Sequence, residues 1–123
     1  MREHWTGTIL GVAFLAAVAL PASGADLEAG KKIYAKECQN CHSPDGKGNP
    51  AIEKVLKKKV SDLTEINLSK LSKAERDQLE QKFRKSIAEG NPPMPAFGKK
   101  LSKADQENVI EYVEKTFMRA EKK

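Results

Sequence analysis

Both cysteines of this 123-residue chain stand in "CQNCH", as Cys38 and Cys41, with His42 directly after them. Three chemistries use such a cluster. A redox dithiol needs a strand-to-helix setting that aims the first thiol at a helix N-terminus and lowers its pKa. A structural zinc site needs four ligands, usually as two separated pairs, and the only other histidine is His4. Covalent attachment of a c-type haem uses C-x-x-C-H as it stands. Cysteines three positions apart on a helical turn reach the two vinyl groups along one porphyrin edge, and His42 can then turn an imidazole nitrogen toward the iron.

The N-terminal residues favour the third chemistry. Arg2, the apolar run from Ile9 to Leu20, Pro21 and the small residues Ser23 and Ala25 have the layout of a secretory signal peptide, with cleavage expected after Ala25. The apolar run is twelve residues long, short of the roughly 20 that cross a bilayer as a helix, so a retained anchor is the weaker alternative. Residues 1–25 are thus expected to be removed and residues 26–123 to form one domain in the periplasm. His4 leaves with the leader, and zinc then has only three Cys and His ligands. In an oxidising compartment two cysteines ordinarily pair, but a bond closing so short a loop removes little chain entropy.

The elements that must position the cluster read as helices. Mature residues show helical spacing in four segments and no period-two alternation, which predicts an all-α domain. A first helix is expected from an Asp26 cap to about Asn40, with Leu27, Gly30, Tyr34, Cys38 and Cys41 on one face. Gly30 on that face points to close approach by another backbone, since a helical glycine costs roughly 1 kcal/mol against alanine; the alternative is a tolerated glycine. "SPDGKGNP" is a loop. Asn49 as cap and Pro50 as first residue open a short helix to about Lys59, with Ile52, Val55, Leu56 and Val60 on one side. "SKAE" at 72–75 is a capping box for a helix that carries Leu79, Phe83 and Ile87 and stops at Gly90. The last helix starts near Ser102 and presents Val109, Tyr112, Val113, Thr116 and Phe117; the terminal "MRAEKK" reads as a frayed, charged end.

A second iron ligand has two candidates, Met94 and Met118. Met118 beside Phe117 reads as a packing or exposed methionine. Met94 stands among Pro92, Pro93 and Pro95, which stiffen the loop and reduce the ordering entropy that a weak thioether ligand must overcome. The alternative is a core gap-filler. With a haem present, Met94 is the preferred ligand.

"CQNCHSPDGKGNP", then "PPMPAFGKKLS" and a terminal amphipathic helix, resembles the single-haem bacterial class I cytochromes c over about residues 26–118. The resemblance implies about four helices around one covalent haem c. It puts thioethers on Cys38 and Cys41, the proximal ligand on His42 and the distal one on Met94. It also implies a crossing of the first and last helices, with Gly30 and Tyr34 against Val109 and Tyr112. Pro50 is a candidate for the carbonyl that accepts the proximal imidazole N–H. The function implied is one-electron transfer by a monomer, without enzymatic activity. A haem enzyme or gas-binding protein with a labile methionine is the alternative, and service as a subunit of a larger complex is a further one.

The formal net charge of +5 survives loss of the leader. Lys31, Lys32, Lys47, Lys54, Lys57, Lys58, Lys59, Lys99 and Lys100 could form a positive rim that steers redox partner proteins with acidic docking surfaces. Plain solubility is the competing explanation in a chain with 32% charged residues. Export disfavours nucleic acid as a partner.

Overall fold

The computed structural model describes residues 24–119; the leader expected at 1–25 falls outside the described residues except for Gly24 and Ala25. Five α-helical segments follow one another: α1 (Leu27–Ile33), α2 (Gln39–His42), α3 (Pro50–Leu56), α4 (Lys73–Glu89) and α5 (Lys103–Thr116). A π-helical turn, Tyr34–Cys38, joins α1 to α2, so the two form one continuous helix. Single 3₁₀ turns occupy Leu63–Glu65 and Leu68–Lys70. Among the described residues there is no strand, only the isolated bridges Asn67–Arg119 and Asn91–Met94, as an all-α domain requires.

Local caps start the helices where the sequence places them. The Asp26 carboxylate accepts from the amides of Glu28 and Ala29, each at 3.0 Å, satisfying donors that a helix start leaves open. Asn49 caps α3 with Pro50 at its first position. Ser72 and Glu75 close a reciprocal capping box on α4, and Ser102 caps α5. Helix ends depart further from expectation. The first helix continues past Asn40 to His42 because its π turn and the loop bonds Gly48 N–H to His42 O and Asn49 N–H to Cys41 O (2.9 and 2.8 Å) carry it on.

The short helix α3 ends at Leu56 rather than Lys59, with Lys57 in the left-handed region at φ 52°. Glu53 draws the chain back, accepting from the Val60 amide at 3.0 Å and pairing with Lys59 at 3.0 Å. Val60 therefore lies outside the helix, and Val55 is 77% exposed instead of sharing a buried side with Ile52.

The core sits where α1 crosses α5. Tyr34, Leu63, Val109 and Phe117 pack together, and the rings of Tyr34 and Phe117 lie 4.9 Å apart between centroids. Gly30 is buried at the crossing: a Cβ there would fall onto the Asn108 carbonyl oxygen and lie 2.8 Å from Tyr112 Cβ. The close approach expected at Gly30 is what the fold contains. Leu27, at the open end of α1, is 40% exposed and does not share the buried face, and Thr116 is exposed.

Of the frayed end expected from "MRAEKK", the first two residues are instead held in place. Met118 is 5% exposed, and Arg119 exchanges backbone hydrogen bonds with Ile66 and Leu68 at 2.9 and 2.8 Å. Residues 120–123 lie outside the described residues.

Candidate haem site

A cavity opens between the end of the first helix, the stretch 58–63, α4 and the proline-rich loop. It has two lobes, of about 190 Å³ toward the surface and about 150 Å³ toward the core. Cys38, His42, Ser61, Asn91 and Met94 border both lobes, and Cys41 borders the outer one. The inner lobe is walled by Tyr34, Leu63, Phe83, Ile87, Val109, Ile110 and Val113. This wall explains why Phe83 and Ile87 on α4 stay only half-buried. Their apolar stripe faces the cavity, with Ile87 also packed against the core cluster.

Each expected residue is delivered by a local device. The π turn ends at Cys38, and such an extra residue in a turn shifts everything after it around the helix axis. Ser43, at φ 66°, stops the helix just after His42, and its hydroxyl donates to the Gly48 carbonyl at 2.9 Å. Tyr34 ties the same turn down by donating to the Ser43 carbonyl at 2.6 Å. On the loop side, the amides of Phe97 and Gly98 donate to Ile87 and Ala88 at 2.7 and 3.0 Å, which fills two open carbonyls at the end of α4. Asn91 and Met94 exchange both backbone bonds, at 3.0 and 2.8 Å.

The donor set suits a haem. His42 Nδ1 is buried with no hydrogen-bond partner, an arrangement that is costly unless something else takes the lone pair. Burial pushes the His42 pKa below its ordinary value, against a hydrogen bond with the Ser61 backbone that pulls the other way; the neutral imidazole is the form that binds metal. Both cysteines are free. Burial, and then the nearby Glu37 and Cys41, push the Cys38 thiol up to about 11. A catalytic dithiol requires the opposite shift. Among the described residues, no group of three or more His, Cys, Asp and Glu is placed to hold a metal ion by itself.

The structure brings Cys38, Cys41, His42 and Met94 to one cavity. Pro50 begins α3 and is not among the residues that line either lobe, whereas Ser61 borders both beside His42. Met118 is packed away from both lobes. Sequence reading passed over Ser61 and Asn91. Asn91 had a signal, since it follows the helix-ending Gly90 and opens the turn around Met94; Ser61, after three lysines and a valine, had none.

All nine lysines of the expected rim are exposed. Three are engaged: Lys58 with the Pro92 carbonyl, Lys59 with Glu53, and Lys100 with Glu37 at 2.7 Å. Glu37, only 10% exposed in its side chain, lines the outer lobe.

An all-helical domain whose first helix ends in C-x-x-C-H on the wall of an apolar cavity is a c-type haem protein. A family model described as "Cytochrome C oxidase, cbb3-type, subunit III" matches residues 25–113. A cytochrome c6 from Picosynechococcus sp. is 34% identical over 108 residues, covering 86% of this chain and 85% of its own length. One from Gracilaria tenuistipitata var. liui is 35% identical over 91 residues, 72% of this chain and 71% of its own. One from Bumilleriopsis filiformis is 37% identical over 91 residues, 72% of this chain and 90% of its own. The chain belongs to the cytochrome c family, as a haem c electron-transfer protein and not an enzyme.

Proposed function

We propose that this protein is a soluble periplasmic electron carrier, freed from its leader after Ala25, whose single haem is tethered by Cys38 and Cys41 and ligated by His42 and Met94. The observation that carries this reading is that His42 and Met94, 52 positions apart, border the same two lobes of one apolar cavity, while Met118 borders neither. The cofactor supplies one-electron chemistry between ferrous and ferric iron. The chain's own part is to keep the site unchanged between the two states. The cysteines fix the edge of the group, His42 offers an uncommitted nitrogen, and the stiff proline loop presents a thioether without a large loss of entropy. Leu63, Phe83, Ile87 and Val113 exclude water, which disfavours the extra positive charge of ferric iron and raises the potential.

The partners in this reading are redox proteins with acidic surfaces, met briefly by a monomer. The supporting feature is that all nine lysines of the expected rim are exposed and two of them, Lys58 and Lys59, line the outer lobe. Steering of this kind speeds encounter and weakens with salt.

Spectra of the purified protein and two variants test the ligand set. Met94→Ala is expected to lose the far-red Met-to-iron charge-transfer band of the ferric form and Met118→Ala to keep it. Loss in the Met118 variant alone overturns the reading. Prompt, tight cyanide binding to the native ferric protein would instead favour an open-site haem protein. Cell fractionation with N-terminal sequencing tests export and cleavage after Ala25.

A further inference from the structure

Both sides of the cavity are touched by one short stretch, residues 58–61. Ser61 borders both lobes beside His42. Three residues earlier, Lys58 reaches the methionine loop, its Nζ donating to the Pro92 carbonyl at 2.8 Å. Pro92 lies inside the tight turn that Asn91 and Met94 close by exchanging both backbone bonds. Neither Pro92 nor Pro93 has an N–H, so this turn can be tied to its surroundings at that point only through a carbonyl. The stretch is itself held from behind by Glu53, whose two carboxylate oxygens take the Val60 amide and the Lys59 ammonium, each at 3.0 Å. The Glu53 side chain is 14% exposed and that of Lys59 91%, so the bond to the Val60 amide is the more sheltered half of this anchor. The left-handed turn at Lys57 sends the chain back toward the cavity, where Lys58 and Lys59 line the outer lobe.

We propose that Lys58 is a positioning residue for Met94. Its ammonium clasps the methionine turn to the same stretch that borders the cavity beside His42, so residues 58–61 act as a yoke between the two ligand-bearing sides of the site. A thioether is a weak, neutral ligand and holds only while its loop stays closed. A charge-assisted hydrogen bond to the loop opposes opening, and because water competes for the exposed lysine the effect amounts to about three- to tenfold in the opening equilibrium. The proposal rests on the reading of Met94 as an iron ligand.

The test uses the purified haem-containing protein in its ferric form. Excess imidazole is added, and its displacement of methionine is followed through loss of the Met-to-iron band. Displacement in Lys58→Ala is expected to be about three- to tenfold faster than in wild type. Lys58→Arg, which keeps a donor, restores a rate near that of wild type, and Lys54→Ala, which removes a nearby exposed charge, leaves it unchanged. Equal rates in wild type and Lys58→Ala overturn the clasp while leaving the ligand reading intact. Equal acceleration by Lys54→Ala overturns it in favour of a general charge effect, and failure of Lys58→Arg to rescue also overturns it. A wild-type spectrum without the band, or a band that survives Met94→Ala, overturns the ligand reading and the clasp with it.

Discussion

Gly30 has no side chain because the backbone of α5 occupies the space one would fill, and the cost of adding a methyl group follows from that geometry. Gly30→Ala drives a Cβ into the Asn108 carbonyl and Tyr112, forcing the crossing apart. The expected loss is about 3 kcal/mol, read as a lower denaturation midpoint. Glu114 works in the other direction. Its half-burial, and then the nearby Glu80, raise its pKa despite Arg84, with Glu111 and Glu107 adding to the rise. A carboxyl group whose folded pKa lies above its unfolded value binds protons more tightly in the fold, so ionisation at neutral pH costs stability and protonation restores it. Glu114→Gln is therefore expected to stabilise the protein at pH 7, by about 0.5 kcal/mol after solvent screening. The gain should fade as thermal melts are repeated below the ordinary carboxylate range. At this scale the sequence was legible wherever spacing carries chemistry: Cys38, Cys41, His42, Met94 and Gly30 all announce themselves. Ser61 does not, because nothing in the sequence around it marks a place on the cavity wall.

The helices divide into those held by packing and those held by their ends. Buried Val109 and Ile110 belong to α5, whereas α4 has no fully buried residue along its 17 positions. With Phe83 and Ile87 turned to the cavity, α4 relies on its capping box and on Arg84, which grips Glu107 of α5 through two nitrogens at 2.6 and 3.1 Å. Ser72→Ala is accordingly expected to cost about 1 kcal/mol, with faster hydrogen exchange concentrated in the first turn of α4. Helix starts could be read from the sequence because a cap involves residues two or three apart, as at Asp26, Asn49, Ser72 and Ser102. Of the helix ends, the stop of α4 at Gly90 could be read as well, but others could not. Helix α3 stops short because Glu53 holds Val60 seven positions later, and Met118 with Arg119 is held in place because residues 66 and 68 bond the Arg119 backbone. Both depend on partners that no local pattern reveals.

At the scale of the whole molecule, the protein side chains alone make a thin core: Tyr34, Leu63, Phe97, Val109, Ile110, Phe117 and Met118 are its buried apolar residues among those described. A domain of this size has little stability to spare, and a bound group that favours the native state supplies the remainder. A Cys38→Ala/Cys41→Ala variant that carries no haem is expected to lose its cooperative thermal transition while keeping part of its helical circular dichroism. A sharp transition at the native temperature would show that the chain folds without its cofactor. The crossing of α1 and α5 has a further consequence, which belongs to synthesis. It joins distant parts of the chain: the Asp26 amide donates to the Asn108 side chain, 82 positions away. At about 5–20 residues per second, α1 leaves the ribosome roughly 4–16 s before its partner exists. Throughout that interval Gly30 and Tyr34 form half of an interface, so the nascent chain must be kept from other apolar surfaces until its last helix arrives.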